Sequence, residues 1–451
     1  MSYAINARYC AVSLVTLVLL VRSAALPQEG DAGAVRRLMD SVSISRLASH
    51  VALLQYAGGH RSRVTFTPGN DSAAVYIRHA FDGMQHLTTV QNDLFFIPSA
   101  TPPFNSKVLM NIVGTLRGHV DASKVIVVGA HFDCSASRMT PDWSAHWDTV
   151  RAPGADDNAT GVAALLEVAR ILSDTSTGFS NDHTIRFIAF GAEESGPAYA
   201  GAASHSGSVH WAQAAKSRGE DVVGMISVDM IGYNAQHLFQ SVVTNAASTS
   251  LANTFNTVND SNHVGLTLNL TSRPNDAYSD HFSFWLAGYP AICLIEYAWP
   301  WNPYVLYQPN PVYHTSFDTI GTVNMELVSR VTQLIVGAVA SMTGKVTGIG
   351  REAEGPPLPS ACTLFQNYPN PFNPTTVVSY LLPVAGRVEL VVYDLLGREV
   401  LIPVNEREPA GDHSVMIDGR GLASGVYLYR LVAVPDGGQA IGLTRRMVLV
   451  K

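Results

Sequence analysis

The sequence has few charged residues and no excess of basic ones, and both shortages exclude classes of protein. Charged residues make up 14% of the 451 positions, and 36 acidic residues outnumber 29 lysines and arginines, for a formal net charge of −7. A dedicated nucleic-acid-binding protein needs a basic patch or domain, so we expect no nucleic-acid partner. Global disorder is also excluded, because hydrophobic residues make up 47% of the chain and can form a large core.

Cysteine is scarce, which excludes a disulfide-rich scaffold. The chain has four cysteines: Cys10, Cys134, Cys293 and Cys362. Cys10 lies in a predicted leader, and the other three are far apart in the sequence. An odd, widely spaced set forms neither a disulfide framework nor a cysteine-rich zinc site, although one disulfide within it remains possible.

Long apolar runs are also missing. The run at residues 10–21 is about 12 residues long, whereas a membrane-spanning helix needs roughly 20. It follows Arg8 and precedes small residues, so residues 1–25 are predicted to be a signal peptide, with an uncleaved anchor as the alternative. No later stretch is apolar for long enough to span a bilayer, so we expect no stable membrane span.

Residues 36–345 are predicted to form an α/β domain. Apolar residues recur at helical spacing in 42–57, 72–86 and 162–172, whereas strand-like runs occupy 108–116, 124–130, 184–190, 222–229 and 291–297. Strands that are continuous apolar runs indicate a sheet buried on both faces. We therefore predict a mixed, mostly parallel sheet flanked by helices.

The rest of the chain has a different composition. Residues 346–362 are rich in glycine and proline, which is typical of a linker. Short strand-like runs separated by turn residues then follow over residues 363–451. This spacing predicts a small C-terminal all-β sandwich.

Acidic residues and histidines follow several predicted strands. The first strand of this kind leads into His131 and Asp133, which an extended backbone places on the same side of the pleat. A metal-bound imidazole needs an acceptor for its second nitrogen, and Asp133 could supply it. A single histidine after a strand is more often structural, so the motif depends on support from the others.

Two pairs of adjacent carboxylates provide that support. Asp156 and Asp157 lie in a turn of small residues, where they are costly unless a cation or a helix N-terminus stabilises them; the simpler explanation is N-capping by Asp157 or Asn158. Glu193 and Glu194 follow an apolar strand, and their side chains should point in opposite directions. One could bind a metal ion while the other acts as a general base, although most such pairs lie on the surface.

Asp229 and His314 complete the set. Asp229 closes the apolar run 222–229, and His314 lies in the segment 312–319. Sheets of this class place their sites at the carboxyl ends of strands and in the loops beyond them. Oxygen and imidazole ligands without thiolates suit a catalytic zinc ion.

These motifs, in this order and spacing, resemble the co-catalytic zinc aminopeptidases of peptidase family M28 over roughly residues 36–340. The resemblance implies two zinc ions per chain, held by five residues: His131, Asp157, Glu194, Asp229 and His314. Asp157 would bridge the ions, with His131 and Asp229 on one side and Glu194 and His314 on the other. Glu193 would be the general base with Asp133 beside it, and a cis peptide is expected between Asp157 and Asn158.

Some positions depart from that family. Tyr278 precedes a Ser-Asp-His motif, where it either stabilises the oxyanion or belongs to the core. His205 and His210 lie in an unusual segment after Glu194 and are expected at the surface rather than among the ligands. The aromatic loop 297–313 could form the wall of a substrate pocket or only pack as a lid.

The C-terminal region resembles the type IX secretion sorting domain, which has an FlgD-like immunoglobulin fold. The resemblance is carried by residues 364–376, 393–400 and 422–427. It implies transport through the periplasm, recognition by the type IX secretion machinery, and a secreted or cell-surface location. The alternative is a sandwich that binds carbohydrate or protein.

The sequence therefore predicts a secreted, zinc-dependent aminopeptidase that acts on peptides with a free N-terminus. A glutaminyl-cyclase-like acyltransferase with one zinc ion is an alternative within the same fold. Carboxypeptidases and dipeptidases share much of the architecture. A non-catalytic binding ectodomain of the same fold is the alternative from another class of protein.

Overall fold

The computed structural model describes residues 31–84, 86–194, 196–198, 205–234, 236–273, 275, 278–296, 309–346, 362–367 and 370–451. The predicted signal peptide, residues 1–25, lies outside the described residues, and so does most of the predicted linker.

The N-terminal part of the chain is organised around an eight-stranded sheet. The strands in this part are β1 (Thr89–Phe95), β2 (Leu109–Leu116), β3 (Asp121–His131), β4 (Phe179–Asn181), β5 (His183–Phe190), β6 (Asp221–Asp229), β7 (Phe239–Thr244), β8 (Thr267–Ser272), β9 (Ala291–Ile295) and β10 (Gly344–Val346). The short strands β4 and β10 pair with each other, outside the large sheet.

The sheet is mixed and mostly parallel at its centre. Its order is β1-β2-β5-β3-β6-β9-β7-β8. The four central strands β5, β3, β6 and β9 run parallel to one another, whereas β1 and β2 are antiparallel additions at one side and β7 is antiparallel to β9. The carboxyl ends of the four central strands therefore meet at one edge of the sheet, which confirms the predicted fold class.

Helices cover both faces of this sheet. The helices of the described residues are α1 (Asp31–Asp40), α2 (Ile44–Leu54), α3 (Pro68–Asp82), α4 (Asp142–His146), α5 (Gly161–Ser173), α6 (Ser206–Ser217), α7 (Thr249–Ser261), α8 (His281–Ala287) and α9 (Met325–Thr343). Ser43 and Thr67 cap the starts of α2 and α3. The side chain of each accepts a hydrogen bond from the backbone N–H of the residue three positions further along the chain.

Burial on both faces is visible within strand β3. Val125 and Val127 pack into a core that also contains Trp211 of α6, whereas Ile126 and Val128 pack into the larger core formed with α5 and α9. Because successive side chains of a strand point to opposite faces, both faces must be apolar. This is why the strand is a continuous apolar run in the sequence.

Helix α9 corrects one prediction. Its 19 residues are long and apolar enough to cross a bilayer by length and composition, contrary to the expectation that no later stretch would qualify. Within the domain, however, 67% of its most apolar window is buried, and the helix packs against α1, α2, α5 and α7. A helix buried on most of its surface is apolar because it lies in the core.

The C-terminal strands form two antiparallel sheets. They are β11 (Thr363–Leu364), β12 (Thr375–Leu382), β13 (Gly386–Tyr393), β14 (Glu399–Glu408), β15 (Gly411–Asp418), β16 (Gly425–Pro435) and β17 (Ile441–Leu449). One sheet has the order β11-β12-β15 and the other β14-β13-β16-β17. Alternate residues of β13, among them Val388, Leu390 and Val392, are buried in a core separate from that of the first domain.

Several features were absent from the prediction. The edge strand β1 and the outer strand β14 have mixed burial and lack a clear apolar run.

Cys134 and Cys362 are buried free thiols, so neither forms the disulfide that the sequence left open. The exact domain limits, 36–345 and 363–451, remain predictions.

Candidate metal centre

The acidic and histidine motifs come together at the carboxyl edge of the parallel strands. His131 is the last residue of β3 and Asp229 the last of β6, and these strands are adjacent and parallel. Glu193 and Glu194 follow the end of β5 on the other side of β3. Asp157 reaches the same edge from the turn before α5.

One group of possible ligands surrounds the first oxygen of Asp157. The Nε2 atom of His131 lies 3.3 Å from Asp157 Oδ1 and 3.3 Å from Asp229 Oδ1. All three side chains are buried. Their ligand atoms lie within 4.8 Å of one another, as the ligands of one small cation must.

A second group surrounds the other oxygen of the same carboxylate. The Nε2 atom of His314 lies 2.9 Å from Asp157 Oδ2 and 2.7 Å from Glu194 Oε1. These atoms also lie within 4.8 Å of one another. The two oxygens of Asp157 thus face different groups, so the carboxylate is placed to bridge two cations.

The electrostatics of this edge favour positive charge. Burial opposes protonation of His314, but the Glu194 and Asp157 carboxylates raise its pKa to about 10. Burial likewise opposes protonation of His131, whose pKa is raised above its ordinary value by Glu193 and Asp229. Burial itself raises the pKa of Glu194 and of Asp229. Buried carboxylates that pull protons onto histidines form a site that a divalent cation can occupy in place of those protons.

Hydrogen bonds from the surrounding loops fix the turn that carries Asp157. The Asp318 carboxylate accepts hydrogen bonds from the backbone N–H groups of Asp156 (2.9 Å) and Asp157 (3.1 Å). Asn158 donates to Val228 O at 2.8 Å and accepts from Gly161 N–H at 3.0 Å. The peptide bond between Asp157 and Asn158 is cis, which confirms that expectation.

The two adjacent aspartates have different surroundings. Asp156 belongs to neither ligand group; its Oδ1 accepts the Gly232 N–H at 2.8 Å and its Oδ2 accepts from Asn310 Nδ2 at 3.0 Å. Asp157, in contrast, presents both oxygens to histidines. N-capping does not explain the two carboxylates: Thr160 is at the N-cap of α5, and the side chain that accepts the Gly161 N–H is that of Asn158.

Asp133 supports the centre from behind. Its Oδ1 accepts the Glu193 N–H at 3.0 Å and its Oδ2 accepts the Glu194 N–H at 3.1 Å. Thr65 donates a further hydrogen bond to Oδ2, at 2.9 Å. Oδ1 also lies 3.5 Å from His131 Nδ1, the nitrogen that faces away from the ligand group. One buried carboxylate therefore positions three residues of the centre.

The second nitrogen of His314 also has a partner. Its Nδ1 lies 3.0 Å from Ser137 Oγ, and the Tyr313 ring stacks on the imidazole with a centroid distance of 3.8 Å. Such outer contacts fix the orientation of a ligating histidine. Residues 297–308 of the predicted aromatic loop lie outside the described residues.

Three further expectations have different outcomes. His205 is buried, not exposed, and its Nε2 lies 2.9 Å from Glu193 Oε1. His210 is half-buried and lies 3.3 Å from Asp93. Tyr278 is 56% exposed, so the alternative that it belongs to the core is wrong.

Arg63 is a residue that the sequence reasoning missed. It is 1% exposed, and its guanidinium donates to the carbonyl oxygens of Phe132 (3.0 Å), Leu54 (3.0 Å), Gly154 (2.7 Å) and Pro153. Arg63 thus ties the His131–Asp133 segment to the turn before Asp157. No pattern around Arg63 signals this role, because its acceptors are backbone groups distant in sequence.

Two family models match the chain. Residues 111–339, about half of the chain, match the model described as Peptidase family M28. Residues 366–436 match the model described as a Secretion system C-terminal sorting domain. Both ligand groups lie inside the first match, and most of the C-terminal strands lie inside the second.

Curated relatives agree with the first of these matches. A probable leucine aminopeptidase of Arthroderma otae is 30% identical over 218 residues, which cover 48% of this chain and 53% of that protein. The chain thus spans about half the length of the curated relatives it matches.

Two solved structures show the same fold. A zinc aminopeptidase from Bacillus subtilis has 17% identity and a TM-score of 0.52, covering 67% of this chain and 95% of the other. A glutaminyl cyclase from Porphyromonas gingivalis has 18% identity and a TM-score of 0.52, covering 67% and 99%. At these identities the likeness establishes the fold alone.

Proposed function

The chain belongs to peptidase family M28, and from that membership we propose that it is a secreted aminopeptidase that uses two zinc ions. The observation that carries this proposal is the division of the Asp157 carboxylate between two ligand groups. Each group supplies one imidazole and one further carboxylate, a donor set that suits catalytic zinc.

In this proposal the five ligand residues are those that the motifs predicted. His131 and Asp229 would hold one ion, Glu194 and His314 would hold the other, and Asp157 would be shared between them. When bound, zinc would polarise the scissile carbonyl and make the attacking water more acidic. Asp133 keeps Glu193 and Glu194 in place through their backbone N–H groups.

Glu193 moves the proton in the proposed reaction. Its side chain is 8% exposed and belongs to neither ligand group. Because its Oε1 is paired with His205, its Oε2 is the atom that takes a proton from the attacking water and returns it to the leaving amine. The bond that breaks is the first peptide bond, and the products are a free amino acid and a shortened peptide.

A free N-terminus suits this site chemically. Two bound zinc ions would offset the charge of the carboxylates at the edge, so the site would accept the uncharged α-amine of a peptide, whose lone pair can bind zinc. The curated relatives named as leucine aminopeptidases support the same substrate class. A blocked N-terminus would remove this interaction, as would a substrate presented by its C-terminus.

The experiment compares wild type with Glu193→Gln on aminoacyl-nitroanilides. We expect wild type to bind two zinc ions per chain and to cleave free but not acetylated substrates. Glu193→Gln should retain both ions and lose activity by at least about 100-fold, the usual minimum for a general base. Full activity of the variant at unchanged zinc content would contradict the assignment of Glu193.

A cyclase is the second candidate, because a glutaminyl cyclase shares the fold. That reaction releases ammonia from an N-terminal glutamine and, in our alternative, uses one zinc ion. Metal analysis together with a glutaminyl-peptide substrate separates the two functions. One zinc ion per chain with ammonia release would favour the cyclase.

We also propose that the chain is exported by the type IX machinery after residues 1–25 are removed. The match of residues 366–436 to a sorting domain supports this route. The proposed units are a peptidase domain at 36–345, a linker at 346–362 and a sorting domain at 363–451. Deletion of 363–451 in a host with this machinery should leave the enzyme in the periplasm, whereas the full chain should reach the medium or the cell surface.

A further inference from the structure

His205 lies against Glu193 at the carboxyl edge of the sheet. Three consecutive backbone hydrogen bonds hold the segments that contain these residues together: His205 N–H to Glu193 O (2.8 Å), Ser206 N–H to Ala192 O (2.8 Å) and Gly207 N–H to Gly191 O (3.0 Å). His205 is therefore fixed to the residue that its side chain contacts.

The backbone conformation at His205 and Gly207 allows the two segments to approach each other closely. His205 has a φ of +63°, in the left-handed region that residues other than glycine seldom adopt. A Cβ atom at Gly207 would lie 2.3 Å from Gly191 O, so the close pass requires glycine there. Left-handed non-glycine residues are often found where function requires their geometry.

The imidazole of His205 has one acidic partner within ion-pair distance. Its Nε2 lies 2.9 Å from Glu193 Oε1, and the side chains of His205 and Glu193 are only 10% and 8% exposed. Behind the pair, Ser208 Oγ donates to His205 O at 3.2 Å and contacts Ser283 Oγ at 2.9 Å. The negative charge of the buried Asp280 carboxylate also acts on this histidine.

We propose that His205 is a positioning residue that engages one carboxylate oxygen of Glu193 in a hydrogen bond. This inference rests on the proposed function, in which Glu193 is the general base. Glu193 directly precedes the ligand Glu194, and a carboxylate so close to two cations would itself tend to bind them. A hydrogen bond from His205 to Oε1 holds Glu193 away from the metal ions and leaves Oε2 available to carry the proton.

The test compares His205→Ala and His205→Gln with wild type and with His210→Ala. Alanine should lower kcat about 10- to 100-fold, with KM within about two-fold and two zinc ions retained, the usual loss for an outer partner of a metal site. Glutamine should restore kcat to within about five-fold, because its amide N–H can replace Nε2–H. His210→Ala is the matched control. His210 lies in α6, which begins directly after His205, but faces Asp93, so the kcat of this variant should not change.

An unchanged kcat in His205→Ala, or a rise in KM alone, would overturn the positioning role. Failure of glutamine to restore kcat would do the same, since the loss of a hydrogen bond to Glu193 would then not explain the lower kcat of His205→Ala. A wild-type chain without activity on any aminoacyl substrate would contradict the proposed function instead.

Crystal structures of the zinc-loaded proteins decide the inference without reference to activity. We expect the Glu193 carboxylate to stay off both ions in wild type and to move within ligand distance of one in His205→Ala. If the carboxylate keeps its position in the variant, His205 does not hold it.

Discussion

In the first domain, acidic side chains are buried together at one edge of a sheet, whereas in the C-terminal domain they pair with arginines at the surface. Asp157 and Asp229 are 4% exposed, and their ion-pair partners are histidines. Arg407 and Asp436, which form an ion pair in the C-terminal domain, have side chains 64% and 54% exposed. The residue types are similar, but the consequences of their placement are not.

This difference indicates where each domain uses its charges. A buried carboxylate must be compensated by a proton, a histidine or a metal ion, so it is retained where that compensation serves a purpose. An exposed pair is screened by water and contributes little to folding or chemistry. Buried charge therefore identifies the functional edge better than the number of ion pairs does.

The largest effect should come from Asp157→Asn, which tests whether the buried carboxylate is compensated by metal. An amide cannot bridge two cations, so zinc content should fall below one ion per chain. Activity should fall by at least about 100-fold, because even losses outside the ligand shell reach that size. Zinc analysis and nitroanilide hydrolysis measure the two effects.

Asp229→Asn provides the comparison within the same site. Asp229 belongs only to the group of His131, so this variant should keep the ion held by Glu194 and His314. If both variants lost the same amount of zinc, Asp157 would not be the shared ligand.

The second effect concerns a buried positive charge. Arg63→Met should lower the free energy of unfolding by about 3–5 kcal/mol, because four carbonyl acceptors lose their donor in the interior. Urea unfolding measured with zinc chelated separates this loss from metal binding. A change below about 1 kcal/mol would show that water replaces the guanidinium at little cost.

The sequence predicted some of these residues and missed others for physical reasons. His131 and Asp229 end apolar strands, and parallel strands bring such residues to one edge, so local patterns suffice. Asp157 was distinguished from Asp156 only through family resemblance, because the pattern treats adjacent carboxylates alike. His205 and Arg63 depend on groups that are separated from them in the sequence, and no local periodicity encodes those contacts.

The third effect uses a half-buried histidine outside the metal centre. Burial lowers the pKa of His50 from 6.5 to about 4, and its Nδ1 lies 2.6 Å from the Tyr76 hydroxyl. Between these two pH values the unfolded chain binds a proton that the folded chain does not, so His50 destabilises the fold as pH falls from 6.5 towards 4.

His50→Gln should remove this contribution. As pH falls over that interval, the free energy of unfolding should decrease by about 1–3 kcal/mol less in the variant than in wild type. Thermal unfolding at pH 7 and pH 4.5, with zinc chelated in both proteins, measures the difference. Parallel pH profiles would mean that the His50 ring gains its proton without unfolding.

The smallest effect should come from the exposed pair of the C-terminal domain. Arg407→Gln removes the ion pair with Asp436 but exposes no buried group, since both side chains are more than half accessible. We expect the free energy of unfolding to change by no more than about 1 kcal/mol, which for a domain of this size limits the change in melting temperature to about 4–8 °C. Scanning calorimetry of this variant beside Arg63→Met compares the same residue type in the two settings. Equal shifts would remove the contrast between the domains, because the effect of losing an arginine would then not depend on its burial.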